Sequence, residues 1–191
     1  MLSIRNNEPW ALWPTRVCPS FFKLAGNQIL GGQYNFKLEF EFTLIKPYGD
    51  KSTIFSILPI YTSLNYYNEH MSNIDVHTDN GMDWSEIKNT IFINTRHKVI
   101  LTNQTGSLFE VFIDNKKVFE TKNFSQVPDP QLVFGAGNFP WHHENHHYCD
   151  LDLHELKLYH EDVLIAHHDF KQYIYEKAFD LTGNCNFIHK I

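Results

Sequence analysis

The chain has 191 residues, of which 15% are aromatic and 20% are charged, and its formal net charge is −6. A charged fraction slightly below the usual quarter excludes an intrinsically disordered chain. The acidic balance and the lack of a basic run exclude a surface that holds a nucleic-acid backbone. No apolar run approaches the ~18 residues of a membrane-spanning helix, and residues 1–10 lack a signal-peptide core. The sequence therefore predicts no membrane insertion and assigns no compartment.

The cysteine content indicates reduced thiols. The count is odd and no C-x-x-C pair exists, so the spacing offers no disulfide framework. We expect partly buried, reduced side chains at Cys18, Cys149 and Cys185.

The clearest secondary-structure signal is a long strand from Tyr34 to Lys46. Apolar and polar residues alternate there with period two, which is typical of a strand with one buried and one solvated face. Gly31 and Gly32 precede the strand, and turn-forming residues follow it. The alternating apolar residues are Tyr34, Phe36, Leu38, Phe40, Phe42 and Leu44.

Short strands and polar loops are expected next along the chain. The sequence predicts strands at 52–61, 73–78, 90–94 and 98–103, and loops at 65–73 and 79–84.

A strong hairpin signal follows, in which Asp114, Asn115 and Lys116 separate two apolar strands. Further along, the strand from Cys149 to His160 changes its apolar parity midway, which predicts a β-bulge near His154. The remaining segments are strands at 131–136, 163–166 and 187–191, a His-rich loop at 137–148 and a helix-compatible stretch at 169–179.

Many short strands with turn signals and no repeat or linker predict one all-β domain over residues 1–191. We expect a two-sheet antiparallel jelly-roll sandwich, and a chain of this length can bury a core without metals or disulfides. The predicted core residues are Phe36, Leu38, Phe40, Phe42, Val111, Ile113, Leu151 and Leu153.

Several segments resemble laminin G-like domains of the concanavalin A-like superfamily. The segment from Phe109 to Val118 is similar to the strand-turn-strand hairpin of that family. The segments 132–137 and 151–159 are similar to the two elements that follow it there. The resemblance covers roughly residues 21–191. It implies a concanavalin A-like jelly roll that recognises glycans or glycoproteins, often with the aid of calcium.

The same superfamily contains glycoside hydrolases and polysaccharide lyases, so an enzyme on this fold is an alternative. A retaining glycosidase needs two carboxylates ~5.5 Å apart, which alternate positions of one strand could supply. The candidate pairs are Glu39 with Glu41 and Asp150 with Asp152. A solvated strand face has the same pattern, and the arginine-rich strand motif of the lyases is absent.

The His-rich loop contains His143, Glu144 and His147 in the order H-E-x-x-H, the zinc-protease signature. That chemistry needs a helix, so that both histidines face one zinc ion. Pro140 lies just upstream and a strand begins by Cys149, so barely two helical turns would fit between them. We predict no protease, while adventitious binding of a transition metal by the loop remains open.

Calcium is a possible cofactor because it prefers oxygen ligands at loop ends. The candidates are Asp79, Asn80 and Asp83 on one predicted loop, and Asp150 and Asp152 after the His-rich loop. No EF-hand spacing is present, and Asx-turns are the alternative role for these residues.

Two predicted loops combine a tryptophan with hydrogen-bonding side chains, a mixture that suits sugar rings and their hydroxyls. The predicted ligand-binding residues are Trp84, Trp141, Asp79, Asn80, Asn138 and His143. The leading hypothesis is a non-catalytic recognition module for carbohydrate or a glycosylated partner. The alternatives are a glycoside hydrolase or polysaccharide lyase, and a structural or interaction module of a particle or appendage. If Trp84 and Trp141 are instead buried in the core at the ends of the sandwich, they cannot bind a ligand and the proposed binding role is wrong.

Overall fold

A computed structural model of the chain describes residues 2–4, 22–24, 30–58, 62–105, 108–126, 130–135, 149–172, 177–178 and 188–190. Within these ranges a 3₁₀ turn, Phe170–Gln172, follows the thirteenth strand, and no helix is long and apolar enough to cross a membrane. The described strands are β1 (Leu2–Ile4), β2 (Phe22–Leu24), β3 (Phe36–Pro47), β4 (Ser52–Leu58), β5 (Thr62–Asn68), β6 (Met71–Thr78), β7 (Gly81–Lys88), β8 (Arg96–Asn103), β9 (Phe109–Ile113), β10 (Lys116–Thr121), β11 (Gln131–Phe134), β12 (Cys149–His160), β13 (Val163–Asp169), β14 (Lys177–Ala178) and β15 (Ile188–Lys190).

The strands form two antiparallel sheets. The first sheet has the order β1-β12-β3-β8-β9-β10, and β13 pairs with the second half of β12. The second sheet has the order β14-β15-β2-β11-β4-β5-β6-β7. Neighbours such as β3 and β12 are far apart in sequence, as in jelly rolls, where long connections bring distant strands together. The predicted two-sheet jelly-roll sandwich is confirmed.

Phenylalanine side chains fill the space between the two sheets. The ring of Phe40 on β3 lies edge-on to Phe55 of β4, with centroids 5.2 Å apart, and to Phe134 of β11, with centroids 5.0 Å apart. Because successive strand residues point to opposite faces, the alternating pattern buries one whole face. All eight predicted core residues are buried, with at most 4% exposure: Phe36, Leu38, Phe40, Phe42, Val111, Ile113, Leu151 and Leu153.

Strand β12 changes its buried face at the predicted place. Its register against β3 shifts between Leu153 and Glu155, which leaves His154 as the extra residue. A bulge of this kind reverses the parity of the strand. Leucines on both sides of the shift are therefore fully buried: Leu151, Leu153, Leu156 and Leu158.

The β9–β10 hairpin closes through a turn of two residues, Asp114 and Asn115, with φ angles of 51° and 66°. Two left-handed residues in succession define the type I′ turn, whose twist matches that of the flanking strands. The loop is shorter than the sequence indicated, because Lys116 already pairs with Ile113.

Two loop predictions are wrong because polar residues occupy strand positions. The segment 65–73 contains the end of β5 and the start of β6, joined by a turn at residues 69–70. The segment 79–84 is a loop only at Asp79 and Asn80, since β7 begins at Gly81. Strand propensity reflects packing and cross-strand partners more than polarity, and these segments find such partners.

Two further predictions are also corrected. The expected strand at 90–94 is a connection that leads from β7 in the second sheet to β8 in the first. The expected helix at 169–179 is reduced to the 3₁₀ turn and the two-residue strand β14 where the structure describes it.

Candidate functional site

The outer face of the first sheet carries a network of ion pairs. The carboxylate of Glu39 lies 3.0 Å from the Lys37 ammonium and 2.9 Å from that of Lys98. Arg96 forms an ion pair with Glu41 on the same face. The charges there neutralise one another, as is usual for a solvated sheet face.

The ion pairs decide what the Glu39 and Glu41 pair can do chemically. Burial raises the pKa of Glu39, but hydrogen bonds from Lys98 and Lys37 outweigh it, so the pKa lies below its ordinary value. A glycosidase general acid needs the opposite shift, because it must hold a proton near neutral pH. The pair therefore has the chemistry of structural ion pairs.

The second carboxylate pair lies on β12 and is nearly buried, with Asp150 at 5% exposure and Asp152 at 6%. The Tyr48 hydroxyl donates a hydrogen bond to Asp150 Oδ2 at 3.0 Å. His154, beyond Asp152, lies 2.9 Å from the Thr43 hydroxyl through its Nε2 atom. These contacts bind the segment to β3 and to the turn that follows it.

The outer face of the second sheet carries a different arrangement, centred on Asp75 of β6. Its carboxylate accepts hydrogen bonds from Asn65 Nδ2 at 2.9 Å, Asn73 Nδ2 at 2.9 Å and Lys51 Nζ at 3.3 Å. Ile74 and Val76 on the same strand point into the core, so Asp75 lies on the opposite face. Three donors converge on one carboxylate that is only 9% exposed.

Neighbouring strands hold this network in place. Asn65 is fully buried, accepts a hydrogen bond from the Thr53 hydroxyl at 2.8 Å and donates to the Ser63 hydroxyl at 2.9 Å. Asn73 uses its amide nitrogen on Asp75, while its buried Oδ1 atom has no hydrogen-bond donor. A buried acceptor without a donor is costly in a folded protein, so it marks a place where a donor would be favourable.

Strand β7, at the end of the sheet, places exposed side chains beside this network. Trp84 lies directly opposite Asp75 and is 68% exposed, and Met82 is 55% exposed. Directly opposite residues have Cβ atoms about 5 Å apart. We call this area the β6–β7 surface, defined by three cross-strand pairs: Asp75 with Trp84, His77 with Met82, and Asn73 with Glu86.

His77 is tied to the segment that crosses from the first sheet. Its Nδ1 atom lies 3.2 Å from the Ser125 hydroxyl, and its carbonyl accepts a hydrogen bond from the Ser125 amide at 3.2 Å. On the inner side of β7, Asp83 accepts a hydrogen bond from the Thr121 hydroxyl of β10. The hairpin that carries the β6–β7 surface thus contacts the strand β10 of the first sheet and the segment that follows it.

The structure brings part of the predicted site together. Trp84 is exposed on a strand face instead of in a rim loop, and Asp79 and Asn80 form the exposed turn at the end of the same hairpin. Trp84 is three residues from Gly81, so roughly 10 Å separate it from that turn. The remaining predicted residues lie outside the described part of the chain: Trp141, Asn138 and His143.

Asn73, Asp75 and His77 were missed by sequence reasoning, although a signal was present. The segment 73–78 alternates, with Ile74 and Val76 on one parity and these three polar residues on the other. The alternation therefore predicts a strand with these three side chains on its polar face, but it does not place them beside Trp84.

The calcium and transition-metal sites suggested by the sequence gain no geometric support within the described ranges. No group of three His, Cys, Asp or Glu side chains there could hold a metal ion. Asp83 lies on β7 with its side chain toward the first sheet, so it does not join Asp79 and Asn80 in a loop. The H-E-x-x-H segment lies outside the described residues.

Cys149 is the one cysteine among the described residues, and it is fully buried, more completely than the partial burial expected for the thiols. Burial, and then the neighbouring Asp150, raise the pKa of the Cys149 thiol. Its sulfur lies 3.2 Å from the Thr53 carbonyl, so a structural role fits this side chain.

No protein-family model matches the sequence, and comparison with curated proteins finds no match. Solved structures do match. The alginate lyase A1-II′, a member of polysaccharide lyase family 7, superposes with a TM-score of 0.51 at 10% identity, over 70% of this chain and 65% of the lyase. The binding domain of botulinum neurotoxin serotype G superposes with a TM-score of 0.54 at 12% identity, over 82% of this chain and 38% of the binding-domain chain.

These likenesses show the fold. The chain shares the two-sheet jelly-roll sandwich with these structures, so the fold that the resemblance implied is confirmed. The chain spans under two thirds of the lyase and about two fifths of the toxin's binding domain. Since one fold supports many activities, function has to be argued from the β6–β7 surface.

Proposed function

We propose that the chain is a non-catalytic recognition module that binds carbohydrate, or the glycan of a glycosylated partner, through the β6–β7 surface. The observation that carries the proposal is Trp84, which is 68% exposed on a strand and directly opposite the hydrogen-bonded carboxylate of Asp75. Single exposed apolar residues are common, but Trp84 and Met82 form a contiguous exposed pair beside an ordered polar network.

This combination matches the two faces of a sugar ring. The flat C–H face of a pyranose stacks on an indole, and its hydroxyls need fixed donors and acceptors at the rim of the ring. Asp75 is preorganised by its three donors, so little side-chain entropy is lost when a ligand binds beside it. The exposed turn residues Asp79 and Asn80 extend the surface along the hairpin, and we retain Trp141, Asn138 and His143 as further predicted contacts.

Affinity for a single sugar should be weak. Stacking and desolvation of one tryptophan contribute about 1–2 kcal/mol, so the protein needs several contacts or several copies to bind tightly. A recognition module on a larger assembly, or one that binds a repeating polysaccharide, would gain affinity through multivalency.

A glycan array with and without calcium tests the proposal, followed by calorimetry on the best ligand. Trp84→Ala should weaken binding about 5–30-fold, which corresponds to the 1–2 kcal/mol of stacking. Trp84→Phe should retain part of the affinity, because a smaller ring still stacks. Phe92→Ala is the matched control, since Phe92 is an exposed aromatic (43%) in the 89–95 connection, off this surface. If the array is blank, or if Trp84→Ala and Phe92→Ala bind alike, the proposed site is wrong.

A protein-interaction module is the second candidate, because β7 is the terminal strand of its sheet and carries the exposed Trp84 and Met82. Edge strands with exposed apolar residues are common docking surfaces for other chains. A blank glycan array together with capture of a deglycosylated partner that Trp84→Ala fails to bind would favour this candidate.

A further inference from the structure

We infer that the ligand of the β6–β7 surface is a neutral glycan and that polymers of uronic acids are excluded; the inference rests on the proposed function. It concerns the charge and the hydrogen-bonding character of the surface, which are independent of the stacking argument.

The first argument is the charge balance. The Lys51 ammonium lies 3.3 Å from Asp75, and the Lys88 ammonium lies 3.7 Å from Glu86. Each of these two lysines thus already faces a carboxylate. A polyuronate carries one carboxylate on each sugar and would need cations without such partners, as buried or half-buried anions are costly when unpaired.

The second argument is the balance of donors and acceptors. The donors around Asp75 are turned inward, toward its own carboxylate. The acceptor that the surface exposes to solvent beside Trp84 is the Glu86 carboxylate, whose side chain is 42% exposed. Sugar hydroxyls can donate to the oxygens of Glu86, whereas a uronate carboxylate is only an acceptor and would be repelled by Glu86.

The third argument is the apolar platform. Trp84 and Met82 stand two residues apart on one face of β7 and are both more than half exposed. Such a platform stacks on the ring face of a sugar whatever the charge of the sugar, so it contributes affinity but does not discriminate between neutral and acidic sugars. Discrimination against acidic sugars then depends on Glu86, the exposed carboxylate next to Trp84 on the same face.

The test compares hexasaccharide pairs that differ only at C6, which is a hydroxymethyl group in one member and a carboxylate in the other. The probes are β-1,4-linked gluco-, manno- and galacto-oligomers with their uronate counterparts. Calorimetry is performed at 50 mM salt and at pH 8, above the range in which histidines ordinarily titrate. We expect the neutral member of at least one pair to bind at least tenfold more tightly than its uronate.

Glu86→Lys reverses the charge beside Trp84 and should improve uronate binding. The preference for the neutral oligomer over its uronate should therefore narrow severalfold, and this effect should shrink as salt is added. Glu86→Gln removes the negative charge without reversing it, so it should narrow the preference for the neutral oligomer less. Glu120→Lys is the matched control, because Glu120 is an exposed carboxylate on β10 of the other sheet, and it should leave both affinities unchanged.

The outcomes separate the inference from the function on which it rests. Uronates that bind as well as their neutral partners, with binding still lost in Trp84→Ala, would overturn the inference and leave the glycan-binding function standing. An unchanged preference in Glu86→Lys would also overturn the role given to that carboxylate. No binding of any probe would overturn the proposed function and the inference together.

Discussion

Removal of the Asp75 carboxylate is the perturbation that tests how the β6–β7 surface is held. Asp75→Ala deletes the acceptor of three hydrogen bonds, and Asp75→Asn keeps the shape but removes the charge and replaces one acceptor oxygen with a donor group. Both variants leave Trp84 and the core residues of β6 unchanged, so a loss of stability reports on the network.

The magnitude follows from what each donor loses. Asn65 is fully buried and its amide nitrogen keeps only the bond to Ser63, so one of its N–H groups becomes unsatisfied at a cost of about 1–3 kcal/mol. The side chain of Lys51 is 20% exposed and can be hydrated, so the lost ion pair adds only about 0.5–1 kcal/mol. We therefore expect the free energy of unfolding to fall by about 2–4 kcal/mol in Asp75→Ala and by less in Asp75→Asn.

The assay is urea unfolding followed by circular dichroism and by tryptophan fluorescence. With a slope of about 2 kcal/mol per M, the midpoint of Asp75→Ala should fall by about 1–2 M with an unchanged slope. A double-mutant cycle with Lys51→Met should give a coupling of about 0.5–1 kcal/mol. Asp162→Asn, at an exposed turn residue with a φ of 64°, is the control and should change stability by less than about 0.5 kcal/mol.

Two results would refute the reasoning. A loss below about 0.5 kcal/mol in Asp75→Ala would mean that the donors find other partners and that the network is not structural. A gain in stability in Asp75→Asn would mean that the desolvation of the buried carboxylate destabilises the fold more than its hydrogen bonds stabilise it, as happens for some buried ion pairs.

Three further predictions concern the scaffold. Phe40→Ala should lower the free energy of unfolding by about 3–5 kcal/mol in urea titrations, and Phe40→Leu by less, because the ring is 1% exposed between two sheets. Burial, and then Arg96, hold the pKa of His154 below its ordinary value of 6.5, so its protonation favours the unfolded chain. Stability should therefore fall as the pH drops from about 6.5 through the lower folded pKa, and His154→Gln should flatten that part of the stability curve. Asn115→Gly should keep or slightly raise the melting temperature and Asn115→Val should cost about 1–2 kcal/mol, because the φ of Asn115 is 66°. Equal stabilities of the two Asn115 variants would exclude the type I′ turn.

The sequence by itself determined the sandwich and its main elements, because those signals are local. The alternation that makes β3 one-faced, the parity change that requires a bulge at His154, and the Asp114–Asn115 turn each involve residues adjacent in the chain. Backbone periodicity and turn conformation depend on neighbours only a few residues away, so a reader of the sequence has all the information required.

The tertiary structure alone decided where polar residues become strands and which of them meet. The segment 65–73 has the composition of a loop, yet Asn65 is paired within the sheet because β4 and β6 supply partners for its side chain. Trp84 lies beside Asp75 only through the register of β6 against β7, and Lys51 reaches the same carboxylate from the start of another strand. Hydrogen-bond partners and cross-strand neighbours are set by sheet pairing over long sequence separations, and no local pattern in the chain encodes them.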